Sequence, residues 1–137
     1  MTKARALDHI AIATADLDES LRTFEKALGI VCDHIEEIPE RGIKVAFLPI
    51  GDTRIELVTP LHDKSEVSAF LQKRGGGIHH LAFRVDDVDA AAAVLKDQGL
   101  RLAQEPAPGA HGCRVAFVHP KSTGGVLVEI STPAHKK

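Results

Sequence analysis

The sequence contains no tryptophan and no tyrosine, and its five phenylalanines make up all of its aromatic content. Proteins that bind single-stranded nucleic acid without sequence preference stack bases on aromatic side chains. The formal net charge is -2, so the chain also lacks the excess of lysine and arginine that attracts a nucleic-acid backbone. We therefore expect no nucleic-acid partner.

Long apolar runs are also missing, because no stretch approaches the roughly 20 apolar residues that span a bilayer. We therefore expect no membrane partner. Residues 1–5 lack the apolar core of a signal peptide. The two cysteines, Cys32 and Cys113, are too far apart for a metal-binding or redox motif. These absences favour a cytoplasmic protein, or a protein of the mitochondrial matrix if the chain is eukaryotic and processed.

What the sequence does contain is an internal repeat. Leu7–Ile12 resembles Ile78–Phe83 at an offset of 71 positions, and Ile55–Pro60 returns as Val128–Pro133 at an offset of 73. Each half therefore supplies one histidine early and one glutamate late. A chain of 137 residues usually forms one domain, so we expect a single domain over residues 1–137 in which the two halves share a core.

Each half has the pattern of a βαβββ module. In the first half, an apolar strand over residues 6–13 is followed by Asp16 and Glu19 at the spacing of a capping box. Gly29 is placed to end the resulting helix. The apolar stripe of this helix is predicted to comprise Leu17, Leu21, Phe24 and Leu28. In the second half, Gly99 ends a helix rich in small alanines, which should pack close to a sheet.

Turn signals separate three short strands after each helix. The predicted strands lie near residues 30–37, 43–49, 53–59, 101–105, 113–118 and 125–131. The first module covers about residues 6–61 and the second about 77–133, joined by a connector helix at about 63–75 that starts with an apparent capping box from Asp63 to Glu66. The predicted fold class is α+β, with two paired βαβββ modules.

The repeat singles out four residues that could bind a metal ion, which are His9 and His80 in apolar strands and the carboxylates Glu56 and Glu129 in later ones. A carboxylate that points inward needs a cation or hydrogen-bond donors, because burial of an unpaired charge is costly. The alternation of side chains between the two faces of a strand could equally place either glutamate in solvent. Two imidazoles with two carboxylates suit Co, Ni, Mn, Fe or Zn.

Three further residues are judged by their neighbours. His79 precedes His80 but points to the opposite face of its strand, so we do not expect it to be a ligand. His111 lies in a glycine-rich loop that could close over a site. Lys121 follows His119-Pro120 and could offer a cation to an anionic ligand, although a solvated turn explains the same pattern.

The chain resembles the methylmalonyl-CoA epimerase (racemase) family of the vicinal oxygen chelate superfamily, whose members are built from paired βαβββ modules. The resemblance runs from about Leu7 to Pro133. The stretches that carry it are Leu7–Ala13, Pro60–Leu71 with the following glycine-rich turn and His79-His80, Gly109–Gly112, His119–Lys121 and Gly125–Glu129.

This resemblance implies a metal site made by His9, His80 and Glu129, with Glu56 at a fourth position where some family members have glutamine. The implied ion is divalent, with Co²⁺ first and Ni²⁺, Mn²⁺ or Zn²⁺ as alternatives. Some epimerases carry a glutamate, proposed as a base, where this chain has Val45.

The implied activity is the interconversion of (2R)- and (2S)-methylmalonyl-CoA by proton transfer at C2 through a metal-stabilised enolate. Glu129 and Glu56 are the expected catalytic residues, and Lys121 and His111 the expected substrate-binding residues. The implied partners are an acyl-CoA substrate and a second copy of the chain in a homodimer.

Three alternatives have the same superfamily ancestry. A glyoxalase I-type lactoylglutathione lyase would use the same four ligands, but the run from Gly109 to Lys121 favours the epimerase. An extradiol dioxygenase would place its His, His and Glu ligands within one module. A drug-binding resistance protein would lack the ligands and line its cleft with aromatics, which are only 4% of this chain.

Overall fold

A computed structural model describes residues 2–133, which form eight β-strands and three α-helices of the α+β class. The chain divides into two compact units. One unit comprises His9–His79, and the other comprises Met1–Asp8 together with His80–Lys137. Each unit contains one helix that follows an apolar strand and a set of strands that follows the helix.

The unit formed by His9–His79 has a mixed sheet in the order β2-β3-β4-β1. Its elements are β1 (Ala6–Ala13), which belongs to this unit from His9 onward, α1 (Leu17–Leu28), β2 (His34–Ile38), β3 (Ile43–Ile50), β4 (Thr53–Pro60) and α2 (Glu66–Arg74). Strand β1 runs parallel to β4, and the other two pairs are antiparallel. The first predicted βαβββ module is therefore confirmed.

The second unit repeats this plan with a sheet in the order β5-β8-β7-β6. Its elements are β5 (Gly77–Arg84), which belongs to this unit from His80 onward, α3 (Val88–Asp97), β6 (Leu102–Pro108), β7 (Arg114–Val118) and β8 (Val128–Thr132). Strand β5 runs parallel to β8, and the remaining pairs are antiparallel. The second predicted module is confirmed as well.

Helix α1 begins and ends as its sequence predicts. The side chain of Asp16 accepts a hydrogen bond from the backbone N–H of Glu19 at 3.0 Å. Gly29 ends the helix in the left-handed region, at a φ of 67°, where a side chain would be strained. The predicted stripe was wrong at Leu28, which is 67% exposed. Leu28 shares the helix face of Leu17, but its place in the last turn leaves it in solvent.

The connector helix α2 starts later than the capping pattern predicted. Its N-cap is Ser65, whose hydroxyl accepts a hydrogen bond from the N–H of Ser68 at 3.1 Å, and not Asp63. Ser65 is buried whereas Asp63 is exposed, and serine is among the residues preferred at the N-cap of a helix. The helix buries Val67 and ends at Gly75, as predicted.

Helix α3 packs closely on its sheet because its inward residues are small. Ala91 belongs to a buried cluster with Val88, Ala116 and Ile130, and Ala92 is also buried. Asp87 caps the helix by accepting a hydrogen bond from Ala90 N–H at 3.2 Å. None of the helices formed by residues 2–133 has the length and hydropathy needed to cross a membrane.

Candidate metal centre

In the second unit, His80 and Glu129 form a buried pair on the neighbouring parallel strands β5 and β8. The strand register places Ala82, two residues after His80, opposite Glu129. His80 is 9% exposed and Glu129 is 6% exposed, and His80 Nε2 lies 2.9 Å from Glu129 Oε1. Both predicted ligands of this half therefore point away from solvent and toward each other.

In the first unit, His9 and Glu56 form the equivalent pair on the parallel strands β1 and β4. Here Ala11, two residues after His9, lies opposite Glu56. His9 is 4% exposed and Glu56 is 7% exposed. His9 Nδ1 lies 3.3 Å from Glu56 Oε2. The sequence repeat is thus a repeat of strand register, and each half buries one imidazole beside one carboxylate.

Arg54 distinguishes the first pair from the second. Its Nε lies 2.8 Å and its Nη2 lies 2.7 Å from Glu56 Oε2, and Nη2 also lies 3.4 Å from His9 Nδ1. At the offset of 73 positions, the second half has Leu127 in place of Arg54. Our sequence reasoning missed Arg54. The signal was present, because a residue two positions before Glu56 shares its strand face.

Two phenylalanines were missed in the same way. Phe47 in β3 lies opposite Glu56, and Phe117 in β7 lies opposite Glu129. The Phe117 ring meets the His80 ring edge to face, with centroids 5.3 Å apart. The Arg54 guanidinium lies over the Phe47 ring, 5.7 Å from its centroid. The signal was a third repeat, Val-Ala-Phe at 45–47 and again at 115–117.

These phenylalanines make the surroundings of both His–Glu pairs partly apolar, which raises the cost of burying the two carboxylate charges. A buried carboxylate in such surroundings needs compensating donors or a cation. Arg54 supplies a positive charge to Glu56 in the first unit. In the second unit the matching position holds the uncharged Leu127.

Comparison with known proteins identifies the family. The profile of the glyoxalase/bleomycin resistance protein/dioxygenase superfamily matches residues 8–117. The human mitochondrial methylmalonyl-CoA epimerase is 42% identical over 126 residues, which cover 90% of this chain and 72% of the human one. The chain belongs to the methylmalonyl-CoA epimerase family. A second relative, the ethylmalonyl-CoA/methylmalonyl-CoA epimerase of Cereibacter sphaeroides, is 40% identical over 90% of this chain and 95% of its own.

A solved structure of the epimerase family confirms the fold. A variant of the Streptomyces coelicolor methylmalonyl-CoA epimerase, in complex with 2-nitronate-propionyl-CoA, superposes with a TM-score of 0.93 at 37% identity. The match covers 98% of this chain and 99% of the other. The α+β fold of the glyoxalase type is therefore established for this epimerase-family chain.

The remaining residues expected at an epimerase site lie in turns. Lys121 is exposed in a 3-10 turn, Pro120–Ser122, and its backbone N–H donates to His119 Nδ1 at 3.1 Å. Burial and the positive charges of Arg101 and Lys121 lower the pKa of His119. A cationic surface therefore surrounds this turn.

Two other histidines, His111 and His79, were considered in the sequence analysis. His111 lies in the turn Ala110–Gly112, but its side chain falls outside the part of the chain that the structure describes. His79 is half-buried and meets Phe70 edge to face, with centroids 4.9 Å apart. That contact packs His79 against the connector helix α2.

Proposed function

We propose that this chain is a metal-dependent epimerase that interconverts (2R)- and (2S)-methylmalonyl-CoA by proton transfer at C2. The observation that carries the proposal is the buried His–Glu pair that each half presents at the same strand register. Membership of the methylmalonyl-CoA epimerase family supplies the substrate class. The family relatives act on acyl-CoA substrates by name, and we assign the same class to this chain.

We assign His9, His80 and Glu129 as the residues that would hold a divalent ion, on the strength of the family resemblance and of the chemistry of their side chains. Two imidazole nitrogens and one carboxylate oxygen suit Co²⁺ first, with Ni²⁺, Mn²⁺ or Zn²⁺ as alternatives. A cation would also compensate the buried charge of Glu129. When bound, such an ion is a Lewis acid that polarises the thioester carbonyl and thereby makes the C2 proton of the substrate more acidic.

Epimerisation needs one group to remove the proton and another to return it on the opposite face of C2. We assign these tasks to Glu129 and Glu56, the carboxylates of the two halves. Val45 in β3 is buried and its side chain has no ionisable group, so it cannot act as a third acid or base. For Glu56, Oε2 already contacts Arg54 and His9, which leaves Oε1 as the oxygen for proton transfer.

The acyl-CoA substrate carries phosphates and a carboxylate, so we assign Lys121 and His111 to substrate binding. Lys121 is exposed in the cationic turn near His119 and Arg101, where an anion would be attracted. Methyl and ethyl branches differ by one methylene, so a pocket for the acyl branch could discriminate between them by only about 1–3 kcal/mol. A homodimer stays a prediction from the family resemblance.

The test compares two substrates on one preparation. Protein treated with EDTA and then loaded with one equivalent of Co²⁺ is assayed with methylmalonyl-CoA and, in parallel, with the hemithioacetal of methylglyoxal and glutathione. We expect turnover of the CoA ester alone. Turnover of the hemithioacetal alone would assign the chain to the lactoylglutathione lyase activity and overturn the proposal.

A further inference from the structure

A groove of about 250 Å³ lies in the second unit, between the end of helix α3 and the sheet. Its walls are mostly apolar and come from the helix and from strands β5, β7 and β8, among them Leu95, Phe83, Val118, Val128 and Ile130. We call this space the α3 groove. Thr2 also lines it, and all of its lining residues belong to the same compact unit.

The α3 groove lies on the opposite face of the sheet from His80 and Glu129. Along β8, Val128 and Ile130 face the groove, and Glu129 between them points to the other face. Phe83 in β5 lies opposite Ile130 and faces the groove with it. A molecule in the α3 groove would therefore touch neither His80 nor Glu129, so the groove is distinct from the candidate metal centre.

The repeat explains why the second half has space at this point. In the first half, Leu21 and Phe24 of α1 pack against the buried core of that half. At the offset of 71 positions, the second half has the smaller Ala92 and Leu95 in their place. The helix of the second half therefore brings less side-chain volume to its sheet.

The strands beneath the helix differ in the same direction at one wall of the groove. Val118 follows the second Val-Ala-Phe segment, whereas the larger Leu48 follows the first and is fully buried. Phe83 is an exchange in the other direction, since Ile12 is its counterpart at the offset of 71. The groove remains open although the Phe83 ring lines it.

The lining indicates which chemistry the α3 groove accepts. Among the residues that the structure describes, those that line the groove include no charged side chain. Its polar groups are the hydroxyls of Thr2 and Thr123 and the amide of Gln98. Burial of a charge without a partner is costly, whereas burial of apolar surface is favourable. Because an apolar cavity of about 150 Å³ binds benzene, this groove has room for about six to ten carbon atoms.

We infer that the α3 groove binds a small uncharged hydrophobic molecule, a short alkyl chain or a single ring with at most one hydroxyl or carbonyl group. The apolar part lies against Phe83, Val128 and Ile130. The polar group lies at Gln98, whose amide can donate and accept hydrogen bonds. The groove uses neither the metal ion nor the acyl-CoA substrate, so its occupancy is independent of the proposed function.

The first experiment titrates the full chain with 1-hexanol and follows the methyl groups by NMR. We expect saturable shifts of the methyl signals of Leu95, Val118 and Val128, which line the groove. Hexanoate has the same chain length but carries a charge, so it should bind more weakly. Equal affinity for the two probes, or shifts that grow without saturation, would overturn the inference.

Two variants that copy the first half should fill the groove. Leu95→Phe copies Phe24, and Val128→Ile copies Ile55 at the offset of 73 positions. One methylene in a hydrophobic pocket is worth about 10–200-fold in affinity, so we expect Leu95→Phe to lose that much affinity for 1-hexanol and Val128→Ile to lose less. Ala93→Leu, at an exposed position of the same helix, should bind like the wild type. Wild-type affinity in both filling variants would contradict the site.

Urea unfolding without any probe shows whether the space is open. Extra methylenes destabilise a packed core, but an open groove accommodates them, so the unfolding midpoint of Leu95→Phe should equal or exceed that of the wild type. A lower midpoint for both Leu95→Phe and Val128→Ile would mean that protein atoms already fill the space, and the inference would fail.

Size-exclusion chromatography distinguishes a small molecule from a second copy of the chain as the occupant. The wild type and Leu95→Phe should elute at the same volume, because the substitution changes only a groove for a small molecule. A wild-type dimer that becomes a monomer in Leu95→Phe would make the α3 groove an interface between copies and would overturn the inference.

Discussion

His80 and Glu129 lie on neighbouring parallel strands with Nε2 and Oε1 only 2.9 Å apart. Both side chains are buried, and Phe117 packs against the imidazole. A nitrogen and an oxygen that a cation can bind together are thus placed by strand register, without a flexible loop. Sites on strands are held more precisely than sites on loops, which suits a group that must remain aligned with one substrate carbon.

Replacement of Glu129 by glutamine should remove epimerisation. The amide keeps the size of the side chain but cannot accept the C2 proton as a base, so we expect the turnover number to fall by at least about 10²–10⁴-fold. Substrate affinity at saturating Co²⁺ should stay largely unchanged, which isothermal titration with the CoA ester can measure. Near-normal turnover by this variant would contradict the role given to Glu129.

Replacement of Glu56 by glutamine should stop proton transfer on one face of C2 and leave it intact on the other. If Glu56 serves one face and Glu129 the other, the variant should still exchange the C2 proton of one epimer with solvent deuterium and should fail to exchange that of the other. The measurement is deuterium uptake from each pure epimer in parallel reactions. Full epimerase activity in this variant would show that Glu56 moves no proton.

Arg54 should be important for stability because it pairs with a buried carboxylate. Arg54→Leu copies the residue of the second half and leaves Glu56 without its cation, a loss that costs about 3–5 kcal/mol for fully buried pairs and less here, since Arg54 is partly exposed. The double variant Arg54→Leu with Glu56→Leu removes both charges and should regain most of that stability.

Urea unfolding of the metal-free wild type, both single variants and the double variant gives the coupling energy between the two residues. A coupling near zero would mean that the ion pair contributes nothing beyond the separate side chains. It would also mean that Arg54 does not hold the Glu56 carboxylate in place.

His119 should make stability depend on pH. Its pKa is lowered in the folded protein by burial and by the charges of Arg101 and Lys121, so the unfolded chain binds the proton more readily. Stability from this group is therefore complete above the ordinary histidine pKa of about 6.5 and is lost as the pH falls through the lower folded value.

The comparison is between the wild type and His119→Asn, which keeps a side-chain acceptor for the N–H of Lys121. From about pH 7 to about pH 5 the free energy of unfolding should fall more steeply in the wild type than in the variant. Lys121→Gln should raise the pKa of His119 in an NMR titration. Parallel pH profiles for the wild type and His119→Asn would contradict the assignment.

Much of the fold could be predicted because the signals that start and end its helices act between residues that are close in sequence. Asp16 and Gly29 define the ends of a helix through contacts within a few residues, and the structure has both. The repeat told us that each half has the same order of elements. It could not tell us that β1 pairs with β4 and β5 with β8 in parallel, because those pairs join residues more than 40 positions apart.

The sequence predicted which residues belong to the candidate site, but it did not predict the contacts among them. His9, His80, Glu56 and Glu129 were identified from the repeat, and their burial in pairs agrees with that pattern. The involvement of Arg54 was missed because the repeat draws attention to what the halves share. A residue that breaks the symmetry, with leucine as its counterpart, becomes visible only when side-chain distances are known.

The central claim is that a divalent ion and this chain together labilise the C2 proton of methylmalonyl-CoA. Proton NMR of the CoA ester in D₂O, recorded with EDTA-treated protein and again after Co²⁺ is added, tests it directly. We predict that the C2 signal persists with the metal-free protein, then disappears on addition of Co²⁺ while the two epimers interconvert. Exchange no faster than in a protein-free sample, with one ion bound per chain, would contradict the claim.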